Sequence, residues 1–354
     1  MKRILELDYL KGILILLVIS FHLVYFEQLH PYAKQVVYAF HMPGFLLISG
    51  YLMNVGKAPK DFLRTLLWLA VPYIVMESGY IYMASLLPIN EHIDHLTPAV
   101  FLDRLLLHPL GPYWYLHTLI ICGGIYYLII NFKRRPPLNL PEGRLSAAPP
   151  QRSQREVLLR LIILGLVFYI LTLLPLKGVG GAFYFFAGAA IRQSGKDFRS
   201  IFWASPFALL LFATLVLLPI SCSFNSLFCE HLLLFLFLHS SLIIVYFAIS
   251  SLLWLYKQLP PSGSPEGERK KAFPRGGLVG AALFLGRNSL PLYVFSPIFT
   301  ILCKRFVPYL QFDPTGLIFL FVSLIFCVSG SLAIAWAMEK TGISRYFFGR
   351  KAVN

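Results

Sequence analysis

Long apolar runs separated by short polar or charged segments make up most of the chain. Most runs are about 20 residues long, the length that an α-helix needs to cross the hydrocarbon core of a bilayer. The pattern therefore predicts an all-α, polytopic membrane protein with about ten transmembrane helices. These helices are predicted near residues 10–27, 35–54, 65–87, 112–131, 157–175, 179–192, 199–219, 231–256, 278–303 and 315–338.

Composition excludes an ordinary soluble domain. Hydrophobic residues make up 57% of the chain and charged residues only 13%, whereas soluble domains carry about 25% charged residues. The formal net charge of +15 raises the question of a nucleic-acid partner. The basic residues, however, occur in short clusters between apolar runs and do not build one basic face. We therefore expect no nucleic-acid partner and attribute the charge to orientation in the bilayer.

Most of the 31 lysines and arginines fall between alternate apolar runs. By the positive-inside rule, this bias predicts a multi-pass protein of the plasma (inner) membrane with both termini in the cytoplasm. We expect one membrane domain, 1–354, with two mobile cytoplasmic loops at 132–156 and 257–277, both rich in Pro, Gly, Ser and charge. The segment 88–111 is expected to be a solvated external loop, and its histidines and carboxylates are not expected to form a metal site.

The first apolar run carries two ionisable groups that a continuous helix would place on one face. Lys11 and His22 are eleven positions apart, close to three turns, which corresponds to roughly 16 Å along a helix axis. Asp8 lies one turn before Lys11 and can pair with it. His22 is then the ionisable group deepest in this run, and such a group is a functional candidate because charge is costly in hydrocarbon.

Few other ionisable groups fall within the predicted spans. His41 lies just before Pro43, in a part of the second span whose backbone is loosened as in helices that line cavities. Glu77 lies near the centre of the third span, where a carboxylate either is protonated or pairs with an imidazole, here His22 or His41. We take these three residues as candidate catalytic groups. The alternative is that each is a packing residue with its polar atoms satisfied inside the protein.

Six short segments follow one another in an order that indicates a family. They are Asp8-Tyr9-Leu10-Lys11-Gly12, Phe40-His41-Met42-Pro43, Ile48-Ser49-Gly50-Tyr51, Gly111-Pro112-Tyr113-Trp114-Tyr115-Leu116, Leu285-Gly286-Arg287-Asn288-Ser289-Leu290-Pro291-Leu292-Tyr293 and Arg345-Tyr346-Phe347-Phe348-Gly349-Arg350. In this order the chain resembles the acyltransferase 3 family of integral-membrane O-acyltransferases, which opens with a basic residue, ten intervening residues and a histidine. It is most similar to the branch of fucose 4-O-acetylase and intercellular-adhesin-type succinyltransferases.

The resemblance implies an acyl-coenzyme A donor, with acetyl as the expected acyl group, and an acceptor hydroxyl on a cell-surface glycan or its lipid-linked precursor. The cations that would meet the donor phosphates are Lys11, Lys60, Arg64 and Arg287. His22 would be the general base for the hydroxyl, oriented by His41 or Glu77. Lys11 stands where many members have arginine, which keeps the charge but loses the bidentate fork.

The rival function is a membrane transporter or exporter of a glycan or small metabolite, with His22 and Glu77 as its proton or substrate site. Such transporters frequently contain two related halves with matched broken helices. The pair of Lys11 and His22 has no counterpart in the second half of the chain. The sequence therefore favours the acyltransferase interpretation.

Overall fold

The computed structural model describes residues 3–87, 91–132, 154–174, 176, 179–221, 227–258, 277–349 and 351–353, with the backbone alone at 179, 217–221 and 227–241. Throughout these residues the regular secondary structure is helical and includes no strand, so the predicted all-α fold is confirmed. The α-helices are α1 (Leu5–Ser20), α2 (Val24–Leu29), α3 (Pro31–Leu52), α4 (Pro59–Leu86), α5 (Pro98–Leu106), α6 (Trp114–Asn131), α7 (Gln154–Leu173), α8 (Ala182–Gln193), α9 (Phe198–Ile201), α10 (Pro206–Ser221), α11 (Leu227–Gln258), α12 (Gly277–Arg287), α13 (Ser289–Leu302), α14 (Val307–Leu310), α15 (Leu317–Lys340) and α16 (Ser344–Phe347).

Within the part of the chain that the structure describes, five helical segments are long and apolar enough to cross a membrane. They are Pro59–Leu86, Gly111–Asn131, Gln154–Leu173, Ser289–Leu310 and Leu317–Lys340. Shorter apolar helices cover Pro206–Val216, Leu242–Gln258 and Gly277–Arg287. These helices are those of a membrane protein, while the count of about ten spans and the cytoplasmic position of both termini stay predictions. The two predicted mobile loops lie outside the described residues except at their ends.

The first predicted span, 10–27, is wrong as a single helix. The helix α1 ends at Ser20, and α2 begins only at Val24. His22 therefore lies in the turn between them, and the expectation that Lys11 and His22 share one face of a continuous helix is wrong. The helix α1 ends here because His22 and the residue after it make hydrogen bonds that differ from the i→i−4 bonds of a regular α-helix.

The predicted span 278–303 is also interrupted, at Asn288. Pro291 has no N–H to donate to the carbonyl of Arg287, and its ring crowds that carbonyl, so α12 ends at Arg287. The Asn288 side-chain amide donates to the Phe284 carbonyl at 2.9 Å and thereby satisfies one carbonyl of the last turn.

Prolines mark the starts of several helices, since the first turn needs no N–H at that position. Pro31, Pro59, Pro98 and Pro206 each occupy the first helical residue. The last of these proline starts separates α9 from α10 within the predicted span 199–219. At Pro98 the preceding Thr97 caps the helix, with its Oγ1 accepting from the Val100 N–H at 3.2 Å. The segment 88–111 therefore contains the helix α5, where a loop was predicted.

The chain divides into two compact units. One consists of Met1–Phe45 with Phe198–Asn354, and the other of Leu46–Asp197. In the first unit, α1 crosses α12 at backbone contact. A Cβ added at Gly12 would overlap the carbonyl of Ala282, and a Cβ added at Gly286 would overlap the carbonyl of Asp8. Small residues allow such a close approach between helices in a bilayer.

In the second unit, glycine residues allow the same close packing between α8 and the last turns of α3. A Cβ at Gly50 would overlap the carbonyl of Phe185, and a Cβ at Gly188 would overlap the carbonyl of Leu47. The Ser49 hydroxyl also lies 2.7 Å from the hydroxyl of Tyr115. Each unit is thus organised by a pair of helices that touch through glycine. The single membrane domain expected over 1–354 stays a prediction.

We predict that Gly286→Ala lowers the free energy of unfolding by about 1–3 kcal/mol, the usual cost of overpacking, because the new methyl group meets backbone that has little room to shift. The measurement is the thermal unfolding of the purified protein in detergent. Gly79→Ala is the matched control, since a Cβ at Gly79 meets nothing within 4 Å. This control should leave stability unchanged or raise it by up to about 1 kcal/mol. Equal midpoints for the two variants would contradict the close crossing.

Candidate functional site

His22 lies in the turn after α1, and its side chain takes part in ending that helix. Its Nδ1 lies 2.6 Å from the carbonyl oxygen of Val18, one of the last-turn carbonyls. The backbone N–H of His22 donates to the Ile19 carbonyl at 3.2 Å, and that of Leu23 donates to the Ser20 carbonyl at 3.3 Å. Because a carbonyl only accepts, Nδ1 carries the proton, and Nε2 of the neutral ring is left as an acceptor.

A second histidine repeats this arrangement within α3. His41 Nδ1 lies 2.6 Å from the Val37 carbonyl, four residues earlier, and the residue is 2% exposed. Its Nε2 is buried and has no hydrogen-bond partner among the described residues. By the same argument this Nε2 is an acceptor when the ring is neutral. The predicted role of His41 in orienting His22 stays a prediction, since Nδ1 of each ring is directed to its own backbone carbonyl.

Tyr38 lies beside both imidazoles. The centroid of its ring is 6.3 Å from that of His22 and 5.0 Å from that of His41. Its hydroxyl donates to the carbonyl of Phe21 at 3.0 Å, directly before His22 in the chain. The hydrogen bond of Tyr38 therefore connects α3 to the end of α1, directly beside the candidate base His22.

The charges nearest this cluster are paired with each other. Lys34 Nζ lies 3.0 Å from a carboxylate oxygen of Glu27 and 5.5 Å from the centroid of the Tyr38 ring. A pair of opposite charges creates a smaller field than either charge alone. The arrangement is chemically suited to proton transfer, because it holds two imidazoles beside one aromatic ring, each with an Nε2 that accepts a proton when the ring is neutral.

Glu77 belongs to the second unit and is fully buried there, at 0% exposure. Its Oε1 accepts from the backbone N–H of Leu110 at 2.5 Å. Glu91 makes the equivalent contact with the next backbone N–H, that of Gly111, at 2.6 Å. The two carboxylates hold the turn that leads into α6. The predicted pairing of Glu77 with a histidine of the first unit, and its catalytic role, stay predictions.

The cations predicted to bind the donor divide into two groups. In the first unit, the buried carboxylate of Asp8 lies 2.9 Å from Lys11 Nζ and 3.9 Å from Arg287 Nε. The predicted pairing of Asp8 with Lys11 is confirmed, and two of the predicted cations are brought together on one carboxylate. Arg3 Nε also lies 2.5 Å from this carboxylate, in a contact that was not predicted.

Lys60 and Arg64 are exposed residues in the first two turns of α4, in the second unit. No ion pair of either residue occurs among the described residues, and their predicted role in donor binding stays a prediction. Among the described side chains, no group of three His, Cys, Asp or Glu lies close enough to hold a metal ion.

Two residues of this arrangement were missed by reasoning from the sequence. Tyr38 lies three residues before His41, so a search for partners one helical turn away would have found it. Arg3 precedes α1 and was counted only as a charge that orients the chain. Its position five residues before Asp8 gave no periodic signal, because it lies outside the helix.

Comparison with known proteins indicates the family of the chain. The sequence profile of the acyltransferase domain family, acyltransferase 3, matches residues 4–336. The nodulation protein NolL of Mesorhizobium japonicum is 30% identical over 152 residues, which cover 38% of this chain and 38% of that protein. The chain thus matches well under half the length of this relative. No solved structure matches the chain.

The structure defines a helical membrane protein with one buried and one half-buried imidazole beside the same tyrosine, and with a separate cluster of cations. Because the family profile spans nearly the whole chain, the protein belongs to the acyltransferase 3 family. The resemblance found in the sequence is thereby confirmed.

We predict that Tyr38→Phe lowers the rate of acyl transfer about two- to tenfold, the equivalent of one hydrogen bond worth about 0.5–1.5 kcal/mol. The ring stays in place, but the end of α1 loses its bond to α3. The measurement is acyl group transferred per amount of purified protein. Tyr82→Phe is the control, since Tyr82 is 61% exposed. Equal rates for the two variants would contradict a positioning role for the Tyr38 hydroxyl.

Proposed function

We propose that the protein moves an acyl group, most simply acetyl, from cytoplasmic acyl-coenzyme A to a hydroxyl of a cell-surface glycan or its lipid-linked precursor. It does so as a multi-pass protein of the plasma (inner) membrane. Family membership supports the acyl transfer. The acetyl group, the donor and the glycan acceptor follow from the resemblance and from the chemistry of the side chains described above.

The observation that carries the proposal is the orientation of the His22 ring. Its Nδ1 proton is held by the Val18 carbonyl at 2.6 Å. The ring is therefore fixed in one tautomer, which is the condition for a positioned general base. The group that orients the base is a backbone carbonyl of the same helix, in the place where many enzymes use a carboxylate.

The reaction needs one proton to move twice. His22 Nε2 takes the proton from the acceptor hydroxyl as its oxygen attacks the carbonyl carbon of the thioester. The carbon–sulfur bond then breaks, and the departing thiolate takes the proton from the imidazolium. The products are the O-acyl ester and the free thiol of coenzyme A, and His22 returns to its neutral form.

The donor phosphates are anionic and need cations at the cytoplasmic end of the protein. Lys11 lies on α1 and Arg287 is the last residue of α12, and both lie within ion-pair distance of the carboxylate of Asp8. This pairing supports their assignment to the donor. Lys60 and Arg64, at the start of α4, are assigned to the same donor from the family resemblance.

We predict that His22→Gln and His22→Ala lower acyl transfer by about 10²–10⁴-fold, the contribution of a positioned general base, while the affinity for donor stays unchanged. Protein in nanodiscs is supplied with labelled acetyl-coenzyme A and lipid-linked glycan extracted from the cells. The label and the mass increment of the glycan are measured.

The control for this experiment is His95→Ala, because His95 is exposed and outside the site. Transfer by His22→Gln at the rate of the control would remove the catalytic assignment. A wild-type protein that moves the glycan across vesicle membranes without adding mass would instead support the transporter.

We predict that Lys11→Ala weakens the binding of acetyl-coenzyme A about tenfold, because a charge-assisted bond to phosphate is lost. Binding is measured by titration calorimetry in nanodiscs. Lys351→Ala removes one positive charge from a side chain that is 79% exposed, and it should leave the affinity unchanged. An unchanged affinity for Lys11→Ala would show that Lys11 is only the ion-pair partner of Asp8.

A further inference from the structure

The cluster around Asp8 carries more positive charge than it neutralises. Arg3, Lys11 and Arg287 all lie within ion-pair distance of the one carboxylate, at 2.5, 2.9 and 3.9 Å. No other acidic partner of these three cations occurs in the part of the chain that the structure describes. Two positive charges therefore remain uncompensated at a site where Asp8 itself is only 4% exposed.

Like charges repel, so this grouping needs something that holds it together. Glycine contacts between α1 and α12 fix Gly286 against the carbonyl of Asp8, and Arg287 follows Gly286 directly. The carboxylate of Asp8 then lies between cations that would otherwise separate. Arg3 reaches the same carboxylate from before the start of α1.

The contact with Asp8 does not satisfy the hydrogen-bonding capacity of the Arg287 guanidinium. A separation of 3.9 Å from Asp8 is too long for a hydrogen bond, and the buried Nε has no hydrogen-bond partner among the described residues. A buried donor without an acceptor is costly. A ligand with several negatively charged oxygens would satisfy this donor together with the remaining charge.

We infer that Asp8 is a positioning residue that assembles Arg3, Lys11 and Arg287 into a subsite for a doubly charged phosphomonoester. The inference rests on the proposed function, in which that group is the 3′-phosphate of acyl-coenzyme A. Free phosphate or the phosphomonoester head group of an anionic lipid has the same chemistry. We expect the subsite to prefer a phosphomonoester, which carries two negative charges, over the phosphates of a diphosphate bridge, which carry one negative charge each.

Asp8→Asn tests the inference through the sign of its effect. If Asp8 acted only through its charge, its removal would raise the affinity for any anion, because a repulsive interaction is lost. If Asp8 positions the three cations, the affinity for acetyl-coenzyme A falls at least about tenfold, equivalent to about 1.4 kcal/mol. Glu6→Gln is the matched control, since it removes the same charge from α1 at a residue that pairs with Arg199 at 3.0 Å.

The ligand series identifies the group that is bound. Wild-type protein in phosphatidylcholine nanodiscs is titrated with acetyl-coenzyme A, its 3′-dephospho form and inorganic phosphate. The wild type should prefer the 3′-phosphorylated form at least about tenfold. Asp8→Asn should lose that preference while Glu6→Gln keeps it. A purely structural role of Asp8 would weaken both forms equally and would overturn the inference, as would tighter or unchanged binding by Asp8→Asn.

Arg3→Gln provides a second test that does not depend on the folding of Asp8→Asn. The Arg3 side chain is 53% exposed and lies outside the crossing, so its removal should spare the fold. It should weaken the 3′-phosphorylated donor several-fold and leave the dephospho form unchanged. Equal binding of both forms by wild type and Arg3→Gln would overturn the inference.

Nanodiscs that contain phosphatidic acid distinguish a lipid head group from coenzyme A as the source of the bound phosphate. A wild type that binds no form of coenzyme A contradicts the proposed donor. Asp8-dependent binding of phosphatidic acid in that case would still support the phosphomonoester subsite. Absence of Asp8-dependent binding to either ligand would overturn the subsite itself.

Discussion

The crossing of α1 and α12 is the contact on which the candidate site depends. At Gly12 and Gly286 the two helices meet backbone to backbone, without room for a side chain. Helices in a bilayer gain little from hydrophobic association, so close packing and polar contacts must hold them. The glycines supply the close packing, and Asp8 supplies the polar contacts. Arg287 reaches the carboxylate of Asp8 because its neighbour Gly286 brings the backbones together.

The helix α1 also fixes the spacing between the two ends of the proposed site. It contains 16 residues and is about 24 Å long. The cation cluster lies around its first turns, and His22 lies just beyond its last turn. A ligand that contacts both must therefore be thin and extended, as the pantetheine arm between the phosphates and the thioester is. Under the proposed function, one rigid element sets the distance between donor recognition and chemistry.

The apolar runs were sufficient to predict helices, because backbone hydrogen bonds must be satisfied within each segment in lipid. They were not sufficient to predict where helices end. The interruption after Arg287 was visible in Pro291, but the end of α1 depends on the His22 side chain bonding to Val18. The pairing of Asp8 with Lys11 followed from helical spacing. The approach of Arg287 depends on tertiary contacts that no local pattern contains.

The way in which His22 is held has a consequence for the proposed chemistry. A carboxylate behind an imidazole would stabilise the protonated ring through a full charge, whereas the Val18 carbonyl offers only a dipole. The imidazolium formed during attack is thus stabilised less, and the proton is passed on more readily to the departing sulfur. His41 is held in the same way by Val37 and carries no charge to replace the missing carboxylate. The site is therefore suited to a short-lived proton shuttle between a hydroxyl and a thiolate.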